Sequence, residues 1–164
     1  MTRRPDGPDD RAPLASPREW ALWTSFFPME GELWQWLGRR LRDDTGLSEA
    51  DWQVLDALGN TPGHSLRAFE LAGRISFSKS RLHQHAGRMA GRGLLEQNPS
   101  PEDGRGTVVV LTAEGLACFR RAQTHRARHI REALLDALAP EEVDTLIALS
   151  TKIRDNLRRL EAGT

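Results

Sequence analysis

Apolar residues recur at intervals of three and four through most of the chain. Only at Thr107-Val-Val-Val-Leu111 do they close into a continuous β-branched run. The first periodic stretch is Trp20, Trp23, Phe27, Trp34, Leu37 and Leu41, the spacing of one face of a helix. Ser16-Pro17-Arg18-Glu19 marks its start: Ser16 caps, Pro17 suits the first helical position, and Glu19 completes a capping box. Gly46 ends it, and Pro28 is expected to kink or split it. A second helix opens at Ser48 with Asp51 three residues on, carries Trp52, Leu55 and Leu58, and breaks at Gly59-Asn-Thr-Pro-Gly63. A short helix is predicted from about Ser65 to Gly73, turning Leu66, Phe69, Leu71 and Ala72 inward. Ser78 then caps a third short helix that runs to about Arg92, where Gly93 supplies the stop.

The pattern changes after Gly93. Leu94–Asn98 and Thr107–Leu111 flank a Pro- and Gly-rich tip, which reads as a β-hairpin. Thr112 caps a long helix from Ala113 to about Leu138. Ala139-Pro140-Glu141-Glu142 starts the last helix, whose stripe is Val143, Leu146, Ile147, Leu149, Ile153, Leu157 and Leu160. Three short helices in this register form a helix-turn-helix, and a hairpin directly behind the third is a wing. Residues 1–15, rich in Pro, Asp, Gly and Arg, read as a disordered tail.

Composition narrows the function classes. The 164 residues fit one domain with or without an extension, and an apolar content of 38% against 28% charged residues suits long solvated helices that complete their cores by pairing. No apolar run is long enough to span a membrane. No secretory leader is read at the N-terminus, and the lone Cys118 excludes an internal disulfide; the expected location is cytoplasmic. No Gly-rich phosphate loop, His-Glu-x-x-His or Gly-x-Ser-x-Gly is present, so no enzyme is expected.

The net charge is zero, but its distribution is uneven. Between Leu71 and Leu95 there is no acid, while Arg74, Lys79, Arg81, Arg88 and Arg92 fall there. From Glu30 to Asp56 acids dominate. A local basic block attracts phosphates even on a neutral chain, because each charge reaches only about 10 Å at moderate salt. On a helical wheel the segment from Ser78 to Arg92 buries Leu82, Ala86 and Met89. It presents Ser80, His83, Gln84, Gly87 and Gly91 outward, flanked by Lys79, Arg81 and Arg88. Such a face offers donors for guanine, adenine and phosphate in a major groove. Each outward glycine costs about 1 kcal/mol relative to Ala, which close approach to a DNA backbone would explain. At the hairpin tip, Arg105 suits the narrow minor groove, with Asp103 placed to orient it.

At these residues the chain resembles the MarR family of bacterial regulators, over roughly Trp20 to Leu160. The family's recognition helix starts Ser-x-Ser, has an Arg near its end and closes in Arg-Gly-Leu, matched by Ser78, Ser80, Arg88, Arg92, Gly93 and Leu94. Its Asp-x-Arg wing tip is matched by Asp103 and Arg105, and its Leu-Thr strand end by Leu111 and Thr112. Gly87, Gly104, Gly106, His83, Gln84 and His85 depart from the common pattern and bear on the target sequence rather than the binding mode. The resemblance implies a homodimer held by its first and last helices on a pseudo-palindromic operator. The expected fold is therefore mainly α: a winged helix-turn-helix with a two-stranded β-wing and N- and C-terminal dimerisation helices. Residues 16–46 form the dimerisation helix region, 47–112 the DNA-binding lobe and 113–164 the C-terminal dimerisation helices.

The DNA contacts expected on the recognition helix are Ser78, Lys79, Ser80, Arg81, His83, Gln84 and Arg88, with Asp103 and Arg105 on the wing. The family couples binding to a ligand or an oxidant, and three features are candidates. Trp20, Trp23, Phe26, Phe27, Trp34 and Trp36 suit a pocket for a small aromatic effector, or simply a dimer core. Cys118, near Arg120 and Arg121, is a redox candidate or an inert buried thiol. His125 and His129 share a helix face, but two ligands do not close a zinc site, and Arg126, Arg128 and Arg131 oppose a cation. They read as a solvated stretch, and no metal or cofactor is expected. The expected function is a sequence-specific transcriptional regulator, a repressor, binding double-stranded DNA. The alternatives are a protein-interaction or non-specific architectural DNA-binding module, or a Cys118-based redox sensor.

Overall fold

The computed structural model describes residues 16–100 and 106–163; the expected tail and the wing-tip residues Asp103 and Arg105 lie outside them. The described residues divide into two compact units, one ending at Trp36 and the other beginning at Leu37. Among the described residues, six α-helices and three strands follow in the order α1 (Pro17–Thr45), α2 (Glu49–Gly59), β1 (Ser65–Arg67), α3 (Ala68–Arg74), α4 (Lys79–Gly91), β2 (Leu95–Pro99), β3 (Thr107–Leu111), α5 (Ala113–Ala133) and α6 (Pro140–Ala162). No helix among the described residues is long and apolar enough to cross a membrane.

The expected caps are in place. Ser16 and Glu19 exchange bonds, with Ser16 N donating to Glu19 Oε2 at 2.6 Å and Glu19 N donating to Ser16 Oγ at 3.3 Å. Ser48 and Asp51 do the same for α2. Ser78 Oγ accepts from Arg81 N, and Thr112 Oγ1 accepts from Gly115 N. Gly93 at φ 74° provides the left-handed residue that ends α4 and sends the chain into β2.

Four expectations need correction. Pro28 does not split α1, which runs unbroken for 29 residues. A single missing backbone donor is tolerated where the turns on both sides remain bonded, and the Thr24 and Ser25 hydroxyls donate to carbonyls of the preceding turn. Ser65–Arg67 is a strand rather than the start of a helix, so the sheet has three strands in the order β1-β3-β2, not two. Gly63 and His64, at φ 72° and 50°, reverse the chain and lay Ser65, Leu66 and Arg67 against Val110, Val109 and Val108. That pairing satisfies the second edge of β3, which a two-stranded hairpin would leave open. Helix α3 then begins at Ala68, with Glu70 Oε2 accepting from Arg67 N at 3.2 Å, and this later start leaves Phe69 exposed. Finally, α5 stops at Ala133. The backbone leaves helical geometry at Leu134, and one 3-10 turn, Leu135–Ala137, fills the space before Pro140 starts α6.

The core of the second unit joins every element from the end of α1 to α5. Leu41 and Leu47, Val54, Leu55 and Leu58 of α2, Leu71 of α3, and Leu82, Ala86 and Met89 of α4 meet Leu94, Val109, Leu111 and Phe119. Trp52 stacks on Phe119 with ring centroids 5.9 Å apart. The hairpin is closed at its base by Ser100 N donating to Gly106 O. Helix α6 contributes no buried residue, and Ile147, Leu149, Ile153, Leu157 and Leu160 are all exposed.

Two helical glycines have opposite surroundings. A Cβ at Gly115 would run into the carbonyl oxygen of Leu94, whereas a Cβ at Gly87 meets nothing within 4 Å. Gly115→Ala is expected to lose about 1–3 kcal/mol through overpacking, and Gly87→Ala to gain up to about 1 kcal/mol from helix propensity. Denaturant midpoints measure both; equal shifts in the two variants would contradict the packing described here.

Candidate nucleic-acid interface

Helix α4 is 13 residues long, about 20 Å at about 1.5 Å per residue. Leu82, Ala86 and Met89 bury one side, as their spacing requires. Lys79, Ser80, Arg81, His83, Gln84, Gly87, Arg88 and Gly91 are exposed. The structure therefore brings every recognition-helix residue singled out above to one element. It also separates their roles. Ser78 is engaged as the N-cap, and its Oγ lies 3.3 Å from Ser80 Oγ. The Arg81 guanidinium sits 3.8 Å from the centroid of the Phe77 ring. Among the described residues, neither Lys79, Arg81 nor Arg88 pairs with a carboxylate.

Behind this face lies a polar anchor that periodicity did not reveal. His85 sits on the buried side of α4, edge-on to Phe77. Arg88 Nη2 donates to His85 Nδ1 at 3.1 Å; a guanidinium has no acceptor, so Nδ1 is the unprotonated nitrogen and Nε2 carries the proton. Nε2 lies 3.1 Å from Asp51 Oδ1, at an angle short of a full hydrogen bond. The other oxygen, Asp51 Oδ2, accepts from Ser48 N, Ser48 Oγ and Arg92 Nη1 at 2.9, 2.9 and 3.0 Å. Asp51 thus caps α2 and holds both the middle and the C-cap of α4. Burial alone would raise its carboxyl pKa, but the Ser48 donors and Arg92 outweigh burial and hold it below the usual range. The signal available in the sequence was Asp51 itself, a capping-box acid that also faces a basic helix.

The sheet and α3 border the same face. A groove of about 340 Å³ opens between them, lined by Arg67, Phe69, Lys79, Leu82, His83 and Gln97 among others. Exposed Phe69 is its apolar wall, with the Arg67 guanidinium 6.0 Å from the ring centroid.

Comparison with known proteins fits this arrangement. Residues 45–106, from the end of α1 to the far side of the hairpin tip, match the MarR family model. Over the whole fold the chain is 29% identical to AbsC, a MarR family transcriptional regulator from Streptomyces coelicolor, with a TM-score of 0.80 over 88% of this chain and 97% of that one. Sco3205, a MarR family regulator of the same organism solved in complex with DNA, is 28% identical with a TM-score of 0.80 over 87% of this chain and 90% of that one. YdgJ, an uncharacterized HTH-type transcriptional regulator of Bacillus subtilis (strain 168), is 24% identical over 156 residues, 91% of this chain and 93% of that protein. Its fold is that of MarR family regulators, and residues 45–106 carry the family match.

The protein is a transcriptional regulator rather than an enzyme. The other candidates sit elsewhere in the MarR fold. Cys118 is buried on α5, and burial raises its thiol pKa against the pull of Arg121 and Arg92, the reverse of what an oxidant-sensing thiolate needs. Trp20, Trp23, Phe26, Phe27 and Trp34 are exposed along α1. Trp20 and Trp23 have centroids 6.1 Å apart, and Trp34 Nε1 donates to Glu30 Oε1 at 2.9 Å. The segment around His125 and His129 is not a solvated stretch. His129 is fully buried, and buried Arg126 donates twice to Glu49 of α2, at 3.1 and 3.0 Å. Acids distant in sequence supply the compensation that local reading could not see.

Burial holds the His85 imidazole below its ordinary pKa; the Asp51 charge pulls it up, and the Arg88 and Arg81 charges push it further down. As pH falls, the unfolded chain therefore takes up this proton before the folded chain does, so His85 contributes a loss of stability below about pH 6.5 that levels off once folded His85 is also protonated. Between about pH 7.5 and about pH 5.5 the natural chain should lose more unfolding free energy than His85→Gln does. Denaturant titrations at both pH values test this, and equal losses in the two proteins would show that His85 is not held neutral.

Proposed function

We propose that the protein acts as a homodimer that binds double-stranded DNA sequence-specifically, placing α4 in the major groove at each half of a pseudo-palindromic operator and repressing transcription there. One observation carries this reading: the outer face of α4 exposes Lys79, Ser80, His83 and Gln84, with no acid paired to its cations among the described residues. Gln suits the adenine edge, His and Ser are general hydrogen-bond partners, and Lys and Arg suit guanine and phosphate. That Sco3205 was solved on DNA supports the same use of this fold here. From the sequence, Arg105 at the wing tip enters the adjoining minor groove, oriented by Asp103.

Support for self-association comes from α6, whose Leu149, Ile153, Leu157 and Leu160 form an exposed stripe at three- and four-residue spacing. A dimer would set the two recognition helices about 34–36 Å apart, one helical turn of DNA. The aromatic run Trp20, Trp23, Phe27 and Trp34 supports a small aromatic effector that modulates binding. A protein-docking role for α4 has less support, since its outer face lacks the apolar anchors that carry protein interfaces.

Operator fragments selected from genomic DNA provide the test. Lys79→Ala should weaken binding to all fragments alike and reduce the salt slope by about 1, while Gln84→Ala should change the preferred base at one position in each half-site. A uniform loss with Gln84→Ala would move that residue to phosphate contact. In sedimentation the natural chain should run as a dimer and Leu157→Arg as a monomer; a monomeric natural chain would remove the two-half-site geometry.

A further inference from the structure

We propose that Asp44, His125 and His129 form a binding site for a divalent transition cation of the zinc class. The sequence presents two of these donors, on adjacent turns of α5. The fold adds the third from the last turn of α1, 81 positions from His125 along the chain. Asp44 Oδ2, His125 Nδ1 and His129 Nε2 all lie within 4.8 Å of one another. His125 Nδ1 is 3.1 Å and His129 Nε2 2.8 Å from that oxygen. Tetrahedral zinc with bonds of about 2.0–2.1 Å needs its donors about 3.3 Å apart; the two distances to Asp44 Oδ2 lie within a few tenths of an ångström of that, and the two imidazole nitrogens, within 4.8 Å of each other, have to close onto the ion. Two imidazoles and a carboxylate suit zinc, and three protein ligands leave one coordination position open. Access is present as well: His129 forms a buried floor, while His125 and Asp44 are partly exposed at the mouth.

The hydrogen bonding itself calls for a cation. A single oxygen, Asp44 Oδ2, is approached by both imidazoles and by Arg128 Nη2 at 2.6 Å. Arg128 Nη2 also lies 3.1 Å from His125 Nδ1. That nitrogen cannot at once donate to the carboxylate and accept from the guanidinium. With its lone pair free to accept from Arg128, it faces the carboxylate oxygen with no proton between them. A metal ion bound by all three atoms removes the conflict, because every donor then turns a lone pair toward the same positive centre. Arg128 fills that place with its own charge. Its side chain is half exposed and has a second carboxylate, Glu132, 3.7 Å from its Nε, so it has somewhere to go when a metal enters. The neighbouring Arg126 adds little repulsion, since Glu49 neutralises it through two hydrogen bonds. The bound ion would tie the end of α1 to α5, next to the short turn that leads into α2.

The test is a titration of the untagged, metal-free full chain with zinc sulfate in competition with a chromophoric chelator, with cobalt(II) as the spectroscopic reporter. One ion per chain is expected, with ligand-field bands in the visible for cobalt. His125→Ala and Asp44→Asn, both at partly exposed positions and checked for folding by circular dichroism, should each weaken zinc by at least about tenfold. Arg128→Ala should tighten it, because the competing charge is gone; a structural role for the cluster alone predicts no such gain. Absence of saturable binding would overturn the proposal, as would one-to-one binding that none of the three substitutions changes.

Discussion

The Asp51 carboxylate is the contact on which the joining of α2 to α4 depends. It is buried, and it remains charged only because Ser48 and Arg92 donate to one oxygen while His85 faces the other. The same group starts α2 and fixes the attitude of α4, so α4 is oriented by more than the apolar contacts of Leu82, Ala86 and Met89. Apolar packing alone permits a helix to slide or rotate by a fraction of a turn at small cost. A carboxylate with defined partners in the middle and at the end of α4 does not. Reading base edges, as proposed for α4, requires that restriction, because bidentate geometry decides specificity.

The uneven charge distribution acquires a second meaning in the folded chain. The acidic stretch from Glu30 to Asp56 supplies Asp44, Glu49 and Asp51, and each meets a cation or imidazole from α4 or α5. These pairings join residues 34 to 85 positions apart and compensate charges that would otherwise be costly to bury. They also spend the acids of this region on internal partners. Lys79, Arg81 and Arg88 are left on the outer surface of α4 with no carboxylate partner among the described residues, and a neutral protein thereby presents a basic face.

What could be read from the sequence was what local chemistry dictates. Ser16, Ser48, Ser78 and Thr112 each cap the helix they were expected to cap, because a cap depends on residues three apart. The buried and exposed faces of α4 followed from its 3.6-residue period. What escaped depends on distant partners. A three-residue strand has too few positions to show alternation, and Ser65–Arg67 became β1 because β3 offered an open edge after the turn at Gly63 and His64. Phe69 was placed inside by that same misreading of the helix start. His85 looked like an unusual occupant and proved to be an anchor, since its partner Asp51 lies on another helix. His125 and His129 looked solvated because Asp44 and Glu49 could not be seen beside them. The roles of Asp103 and Arg105 stay where the sequence put them, outside the described residues.

The central claim is that α4, held by Asp51, reads a DNA sequence. Its most direct test is the ratio of dissociation constants for the region upstream of the protein's own gene and for a scrambled duplex of equal length and composition, at about 150 mM salt, where phosphate attraction no longer masks specificity. The account predicts at least about a thousandfold tighter binding to the upstream region. Equal affinity for the two duplexes would contradict it and leave α4 a basic surface without a code.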